Sequence, residues 1–506
     1  MSRPSLVLLA GLALLVIGTT VARTSGLNPE SLWYDDLAWA VFARTHDVRA
    51  VLHAPSHAPS GFLALLTASS LLIDDPELSM QLVPFAAGLA SIPVIAAVVR
   101  RLTKSDGLAL LGAAVTALNP LLAHYTLFVK QYSLDFFIGA LLLYFTLRLL
   151  ERCEIRLAHA GALIAASALG FAVSPGSSFV SVPAINAVAI RSWRTRRNGV
   201  PLVTIVTAVF EGVLAAVAFW YRMRYGGFYS SIREGFIRRL GHPIRLLTFS
   251  VTGFRDIAAR SLPSWFETTP WQPHFIPAAT VFIAAGLVWV LATRSTRHAR
   301  ALLVCCVGLF LVATYTHLYP LTLRRTICSF PVFITLAVMG VHAATQWLPR
   351  RETIRMAIGV IAAVFALVAP VQVSYWDVDD SKLVKALPAT IQAADGLVLS
   401  PAGIYLTAIY GPWRIAFRRG GSGVNIFRER TLQLPDGSAD AVRLRVEHFL
   451  ASSRPPGVAY MGFRTRPRVT ETVLSVFEEF GYEPTAAETT SRGTLYIARQ
   501  VHPTDN

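Results

Sequence analysis

Long apolar segments alternate with short polar ones along most of the chain. A helix needs about twenty mostly apolar residues to cross a bilayer, and about eleven segments have this character. They lie near residues 5–22, 80–99, 107–126, 133–150, 157–173, 176–190, 200–220, 274–292, 301–317, 327–347 and 355–374. The pattern predicts an α-helical polytopic membrane protein with about eleven transmembrane helices.

The pattern changes after about Tyr375, where the apolar runs become shorter. Short buried strands are predicted at 397–400, 458–462 and 494–498, and helices at 380–393, 439–452 and 471–480. Thr470 is the predicted N-cap of the last helix, and Gly481 is its predicted C-terminal stop. The chain is therefore expected to have a transmembrane domain over residues 1–374 and a small soluble α/β domain over 375–506.

The first outer loop, residues 23–79, carries an adjacent acid pair, Asp35 and Asp36. An amphipathic run, Leu37 to Arg44, follows the pair and predicts a short helix lying on the membrane. Two carboxylates at the water boundary of an apolar bundle are candidate catalytic groups. The alternative is a capping role, because the dipole and exposed amides of a helix N-terminus stabilise aspartate.

The composition excludes an ordinary soluble protein. The chain has 506 residues, of which 54% are hydrophobic and 15% charged, and its mean hydropathy is +0.50. The four cysteines show no metal-ligand spacing and are interpreted as apolar packing residues. The net charge of +16 comes largely from short basic clusters between apolar segments, so no nucleic-acid partner is expected.

The basic clusters also predict the orientation of the chain. With the N-terminus inside, every loop predicted to be cytoplasmic is rich in arginine or lysine. The first outer loop and the C-terminal domain are then extracytoplasmic, on a multi-pass protein of the plasma (inner) membrane. Lys130, Arg324 and Arg325 fall at the outer boundary, against this rule. A cation placed there has to reach water or meet an anion such as a lipid phosphate.

Several segments resemble those of a known family. SLWYDD (31–36) followed by HAPSHAPSGFLALL (53–66) looks like the first outer loop of the protein O-mannosyltransferase-like glycosyltransferases, family 39 of the GT-C fold. Further similar segments are LSMQLVPFAAGLASIPVIAAVVRRL (78–102), LNPLLAHYTLFVKQYSLDFF (118–137) and LYPLTLRRTICSFPVFITLAVMGV (318–341). The sequence departs from the family at Asp36, where Glu is usual, at Lys130, where Arg is common, and at 81–84, where Arg-Leu-Pro is usual.

The resemblance implies a membrane enzyme that moves a sugar from a polyprenyl-phosphate carrier to an acceptor on the outer face. The acceptor could be an envelope glycan, a lipid or a protein. Asp35 and Asp36 are the implied catalytic residues of an inverting displacement, with one of them as general base. The implied substrate-binding residues, some of which would hold the carrier phosphate, are Lys130, Tyr132, Arg324, Arg325, His53 and His57.

Alternatives remain open at this stage. His53 and His57 lie in an Ala/Pro-rich setting, where a role in folding the loop is at least equally plausible. A divalent metal held by one of the acids is possible, although no cofactor is certain. The chain could also be a transporter or flippase for a lipid-linked glycan, or a non-catalytic subunit of an envelope complex. A transporter would be expected to show internal repeats or charges inside its spans.

Overall fold

The structure is a computed structural model that describes 4–24, 34–44, 59–152, 155–194, 209, 272–293, 297–315, 327–368, 396–399, 415–417, 424–426, 431–434, 438–453, 455–463, 467–490 and 493–501. The chain divides into two compact units. The first comprises Met1–Gly26 and Pro84–Val373, and the second comprises Leu27–Val83 and Ser374–Asn506.

The regular secondary structure described in the first unit is entirely helical. Its helices are α1 (Leu6–Thr24), the part of α4 (Pro76–Thr103) from Pro84 onward, α5 (Asp106–Leu118), α6 (Pro120–Tyr125), α7 (Tyr132–Leu150), α8 (Leu157–Val173), α9 (Ser178–Arg194), α10 (Gln272–Ala292), α11 (Arg297–Tyr315), α12 (Phe330–Thr345) and α13 (Arg351–Val368). A 3₁₀ turn, Pro175–Ser177, joins α8 to α9.

Polar contacts fix the direction of several helices. The Ser5 backbone N donates to Asp106 Oδ2 (2.8 Å), and Arg100 Nε lies 2.5 Å from Asp106 Oδ1, so α1 and α5 begin where α4 ends. Glu151, at the end of α7, pairs with Arg101 and Lys104 in the same region. We call this the Arg100 end of the unit. The opposite end, where α1 finishes and α7 begins, we call the Lys130 end.

Glycines allow pairs of helices to pack with their backbones in contact. A Cβ on Gly286 of α10 would lie 1.9 Å from the Leu336 carbonyl oxygen of α12, and one on Gly340 would lie 2.1 Å from the Phe282 carbonyl oxygen. The α5–α13 pair shows the same relation, since a Cβ on Gly359 would lie 2.2 Å from the Gly107 carbonyl oxygen. Small residues at such crossings let transmembrane helices approach closely.

The mostly helical architecture with a small C-terminal sheet confirms the predicted fold class. Among the described residues, four helical segments are long and apolar enough to cross a membrane: Leu6–Thr24, Glu77–Thr103, Tyr132–Leu150 and Ile327–Thr345. Shorter apolar helices lie at Ser60–Leu72, Asp106–Leu118, Ala158–Val173, Thr280–Ala292 and Ala299–Phe310. The predicted span at 200–220 falls outside the described residues except for Val209.

The structure differs from the predicted continuous span over 107–126. Helix α5 ends at Leu118 and the short helix α6 starts at Pro120. Asn119 has an extended backbone (φ −66°, ψ 111°), as expected for a residue before proline. Its side chain accepts a hydrogen bond from Leu122 N (2.9 Å) and so caps α6.

The described N-terminal part of the second unit contains two helices and the start of α4. Helix α2 (Tyr34–Arg44) covers the predicted amphipathic run, and α3 (Ser60–Leu72) is an apolar helix that the sequence reading did not assign. Trp39 and Phe62 join α2 to α3 with ring centroids 5.4 Å apart. Both side chains are buried.

The C-terminal part of this unit contains a mixed sheet. Its strands are β1 (Gly396–Leu399), β4 (Thr431–Gln433), β5 (Gly457–Phe463), β6 (Tyr482–Thr490) and β7 (Gly493–Gln500). Their order in the sheet is β4-β1-β5-β7-β6. Strands β4, β1 and β5 run parallel, whereas β7 is antiparallel to both β5 and β6. A separate antiparallel pair is formed by β2 (Ile415–Phe417) and β3 (Val424–Ile426).

Two helices cover the sheet, α14 (Ala439–Ser453) and α15 (Pro467–Glu479), and their apolar side chains share one core with strands β1 and β5. Gly481 is confirmed as the stop after α15, since its φ of 77° suits glycine. Thr470 is not the N-cap, because α15 already starts at Pro467, a residue that favours the first helical turn. The predicted helix at 380–393 lies outside the described residues.

Candidate functional site

The acid pair lies in the first turn of α2, because this helix begins at Tyr34. The helix is anchored by the Trp39–Phe62 contact and by Arg44, whose Nη1 donates to the Asp74 carbonyl oxygen (3.3 Å). A helix N-terminus carries a partial positive charge that stabilises nearby carboxylates. Both sequence interpretations, a catalytic acid pair and a helix cap, are compatible with this backbone position.

A second candidate segment joins α5 to α7 at the Lys130 end of the first unit. After α6 the chain turns through Thr126 to Gln131, and the Lys130 backbone N donates to the Phe128 carbonyl oxygen (2.8 Å). Lys130 is only 7% exposed. A lysine this deeply buried at the boundary of a membrane bundle is costly and is typical of a functional position.

Aromatic side chains hold this segment in place. Tyr125 meets Tyr132 edge-on with ring centroids 4.9 Å apart, and His124 lies 4.3 Å from the Phe128 ring. The Ser133 hydroxyl donates to the Tyr125 carbonyl oxygen (2.8 Å). Tyr132, which is buried, is therefore part of a packed aromatic group beside Lys130 in the sequence.

Two buried ionisable groups at the Lys130 end were missed by the sequence reading. Asp135, in the first turn of α7, accepts hydrogen bonds from the Ser174 hydroxyl and the Gly176 backbone N–H. Arg23, near the end of α1, is 3% exposed, and its Nη2 donates to the Ala117 carbonyl oxygen (3.2 Å). An ionisable residue at the end of an apolar segment was the available signal in both cases.

The structure thus describes part of the predicted site. Asp35 and Asp36 belong to the second unit, and Lys130 and Tyr132 belong to the first. The remaining predicted binding residues lie outside the described part of the chain: His53, His57, Arg324 and Arg325. Within the described residues, no three His, Cys, Asp or Glu side chains gather into a group that could hold a metal ion.

Comparison with known proteins gives a family-model match over part of the chain and a similar fold. The family model described as dolichyl-phosphate-mannose-protein mannosyltransferase matches residues 56–220, a segment that includes α3 to α9. The structure is similar to that of ArnT from Cupriavidus metallidurans bound to undecaprenyl phosphate, with a TM-score of 0.51, 12% identity and 97% of each chain covered. A comparison of the sequence with curated proteins finds no match.

A second solved structure gives a similar result. It is the archaeal oligosaccharyltransferase AglB from Archaeoglobus fulgidus, in complex with an inhibitory peptide and a dolichol-phosphate. The TM-score is 0.51 at 12% identity, and the similarity covers 98% of this chain and 75% of AglB. At this level of identity both likenesses show the fold, and they confirm the GT-C fold that the sequence resemblance implied.

Proposed function

Because the chain has the GT-C fold and a segment matching a mannosyltransferase family model, we propose that it is a polyprenyl-phosphate-dependent membrane glycosyltransferase. In this proposal residues 1–374 form the transmembrane catalytic domain, with the first outer loop, 23–79, contributing the acids. Residues 375–506 form an extracytoplasmic domain. The protein works at the outer face of the plasma membrane.

The observation that carries the proposal is the position of Asp35 and Asp36 in the first turn of a helix, α2, in a chain with this fold. The carrier lipid is inferred from the two similar structures, since ArnT was solved with undecaprenyl phosphate and AglB with a dolichol-phosphate. Both ligands are phosphates of long polyprenyl chains. We infer a donor of the same chemical class, a sugar linked to a polyprenyl phosphate.

The proposed reaction is an inverting displacement at the anomeric carbon. The acceptor hydroxyl oxygen bonds to this carbon while the bond from the carbon to the phosphate oxygen breaks. Asp35 takes the proton of the hydroxyl as attack proceeds, and the polyprenyl phosphate leaves as an anion. The leaving group needs cations rather than an acid, and Lys130, Arg324 and Arg325 are the proposed groups.

The two acids have different proposed roles. Adjacent residues on a helix project about 100° apart, so Asp35 and Asp36 do not address the same proton equally. Asp36 is then a supporting group or a weak ligand of a divalent metal. Tyr132, His53 and His57 are proposed to contact the substrate.

A transporter or flippase is the alternative function, and the buried charges bear on it. Arg23 and Asp135 are buried ionisable groups of apolar helices, which a transporter would be expected to show. However, both occupy helix ends, and both bond to groups at other helix ends or turns. Sites at the middle of the bilayer are typical of transporters, so the enzyme proposal is favoured.

The test is transfer by the full-length chain purified in nanodiscs. A panel of polyprenyl-phosphosugars is supplied with candidate acceptors, and mass spectrometry follows the glycosylated product together with the free polyprenyl phosphate. We expect stoichiometric appearance of both products with wild type and a large loss with Asp35→Asn. Movement of a lipid-linked glycan between leaflets, with no covalent transfer from any donor, would instead establish the flippase.

A further inference from the structure

Arg23 is a buried guanidinium near the C-terminal end of α1, at the Lys130 end of the first unit. Side chains on a helix tilt toward its N-terminus, so the charged group is directed back along the bundle rather than out of it. Burial of a permanently charged group inside a membrane protein is expensive unless several hydrogen bonds or an anion compensate it.

Only part of the hydrogen-bonding capacity of Arg23 is used. Nη2 donates to the Ala117 carbonyl oxygen (3.2 Å) in the last turn of α5, where helical carbonyls lack a partner within the helix. Nη1 is buried and has no hydrogen-bond partner among the described residues. No carboxylate in the described part of the chain forms an ion pair with this guanidinium.

The surroundings of Nη1 connect it to the segment that carries Lys130. A Cβ placed on Gly88 of α4 would lie 3.3 Å from Arg23 Nη1 and 1.8 Å from Thr126 Cγ2. Gly88 therefore lets α4, Arg23 and Thr126 come together. Thr126 begins the turns that lead to Lys130, and its hydroxyl donates to the Ala123 carbonyl oxygen (2.5 Å).

The position of Nη1 suits an anionic ligand. A guanidinium is preorganised to donate to an oxyanion when one arm is fixed on a helix carbonyl and the other arm is buried without a partner among the described residues. At the boundary of a membrane bundle, a suitable oxyanion is the phosphate of a lipid, which is attached to a long apolar chain. We propose that Arg23 Nη1 binds a phosphate oxygen of a membrane-embedded lipid phosphate.

The identity of that lipid rests on the proposed function. If the chain uses a polyprenyl-phosphate donor, the ligand is the phosphate of the donor or of the released carrier. A bilayer phospholipid would offer the same phosphate chemistry. The competing structural explanation is a capping arginine, in which the Nη2–Ala117 bond stabilises the end of α5 and Nη1 contributes nothing.

Binding of a polyprenyl monophosphate, which carries no sugar to transfer, provides the test. The full-length chain in phosphatidylcholine nanodiscs is titrated with undecaprenyl phosphate, and affinity is measured from native mass spectra and from the ligand-induced rise in Tm. Arg23→Gln is expected to weaken binding about tenfold to a hundredfold, the loss typical of one charge-assisted hydrogen bond. Arg23→Lys should recover part of this loss.

A glycine pair supplies the matched control. Gly88→Ala is expected to weaken binding, because the new methyl displaces Arg23 or Thr126. Gly161→Ala should leave it unchanged, since a Cβ on Gly161 would have nothing within 4 Å. If Arg23→Gln lowers the Tm of the ligand-free chain but leaves the responses to undecaprenyl phosphate and to phosphatidylglycerol at their wild-type values, Arg23 is only a cap and the proposal is overturned.

Repeating the titration with phosphatidylglycerol added to the nanodisc separates the two lipid sources. A Tm rise caused by phosphatidylglycerol that disappears in Arg23→Gln, with unchanged affinity for undecaprenyl phosphate, assigns the site to a bilayer lipid. The outcome is also separable from the proposed function. Arg23-dependent binding without sugar transfer would overturn only the proposed glycosyltransferase function. Normal transfer with Arg23-independent binding of both lipids would overturn only the proposed Arg23 phosphate site.

Discussion

The Ser174 hydroxyl donates a hydrogen bond to the buried carboxyl group of Asp135 and so joins the start of α7 to the turn between α8 and α9. Gly176 completes this contact with its backbone N–H. A Cβ on Gly176 would lie 2.7 Å from Asp135 Oδ1, so any larger residue there would push the carboxylate away. The contact lies at the Lys130 end and positions the helix that follows Lys130.

Breaking this contact should destabilise the first unit. Asp135→Ala leaves the Ser174 hydroxyl and the Gly176 N–H without a partner, with an expected cost of about 1–3 kcal/mol. Gly176→Ala should destabilise through the clash with the carboxylate. Thermal unfolding of the full chain in detergent, with Gly161→Ala as the control, measures both effects. Wild-type stability of Asp135→Ala would show that the contact contributes nothing.

The close approach of α10 and α12 gives a second prediction. Alanine at Gly286 or Gly340 would press a methyl group against backbone atoms of the partner helix, which cannot move aside as a side chain can. Overpacking of this kind costs about 1–3 kcal/mol. Gly308→Ala in α11 is the control, because its Cβ would meet nothing within 4 Å. Equal Tm values for all three variants would contradict the packing argument.

The C-terminal part of the second unit contains an ion pair that gives a pH prediction. The side-chain hydrogen bond from Arg443 lowers the pKa of Glu479 below its ordinary value of 4.5. A lowered folded-state pKa means that the Glu479 carboxylate stabilises the folded state at pH values above the unfolded-state pKa of this group. This stabilisation is lost as the pH falls through the folded-state pKa.

Glu479→Gln should therefore lower the stability of the second unit slightly at neutral pH and have no effect at a pH well below 4.5. The measurement is the pH dependence of thermal unfolding of the full chain. Glu478→Gln is the matched control, since Glu478 forms no ion pair among the described side chains. A difference from wild type that persists undiminished in acid would argue against the pair.

Local signals predicted much of the fold. The pair Asn119-Pro120 already contains the reason for the break between α5 and α6, because a residue before proline disfavours helix. Gly481 was found from the pattern, since a positive φ after a helix favours glycine. Thr470 was misassigned because Pro467, an equally good starting residue, lies three positions earlier.

The candidate site was less accessible to sequence reasoning. The acid pair is visible because two charges stand together beside apolar segments. Arg23 and Asp135 were not predicted as site residues, because their significance depends on burial and on distant partners, Ala117 and Ser174. Contacts between residues far apart in the sequence depend on tertiary packing, which periodicity does not encode.

The proposal that Lys130, Arg324 and Arg325 bind the donor phosphate is tested by neutralising each residue. We expect each single glutamine substitution to reduce donor kcat/KM by about tenfold to a hundredfold, as for loss of a charge-assisted hydrogen bond. Lys104→Gln is the control, because Lys104 is exposed at the Arg100 end. Unchanged donor KM and kcat in all three variants would show that the phosphate binds elsewhere.

The last prediction is that Asp35 is the general base and Asp36 the supporting acid. The resemblance places Asp35 on the first acid of the family, whereas Asp36 stands where the family has the longer Glu. Proton removal depends closely on the placement of the carboxylate, and a supporting group tolerates a different side-chain length. Asp35→Asn keeps the shape but removes the proton acceptor, so transfer should fall by about 10² to 10⁴.

The matched variants are Asp36→Asn and Asp36→Glu. Asp36→Asn should cost less than Asp35→Asn, and Asp36→Glu should keep substantial activity. Binding of undecaprenyl phosphate and the Tm should remain at wild-type values in all three, because the proton acceptor acts only on the reacting hydroxyl. Wild-type turnover of Asp35→Asn together with an inactive Asp36→Asn would reverse the roles. If both asparagine variants stay active, the pair caps α2 and the catalytic assignment fails.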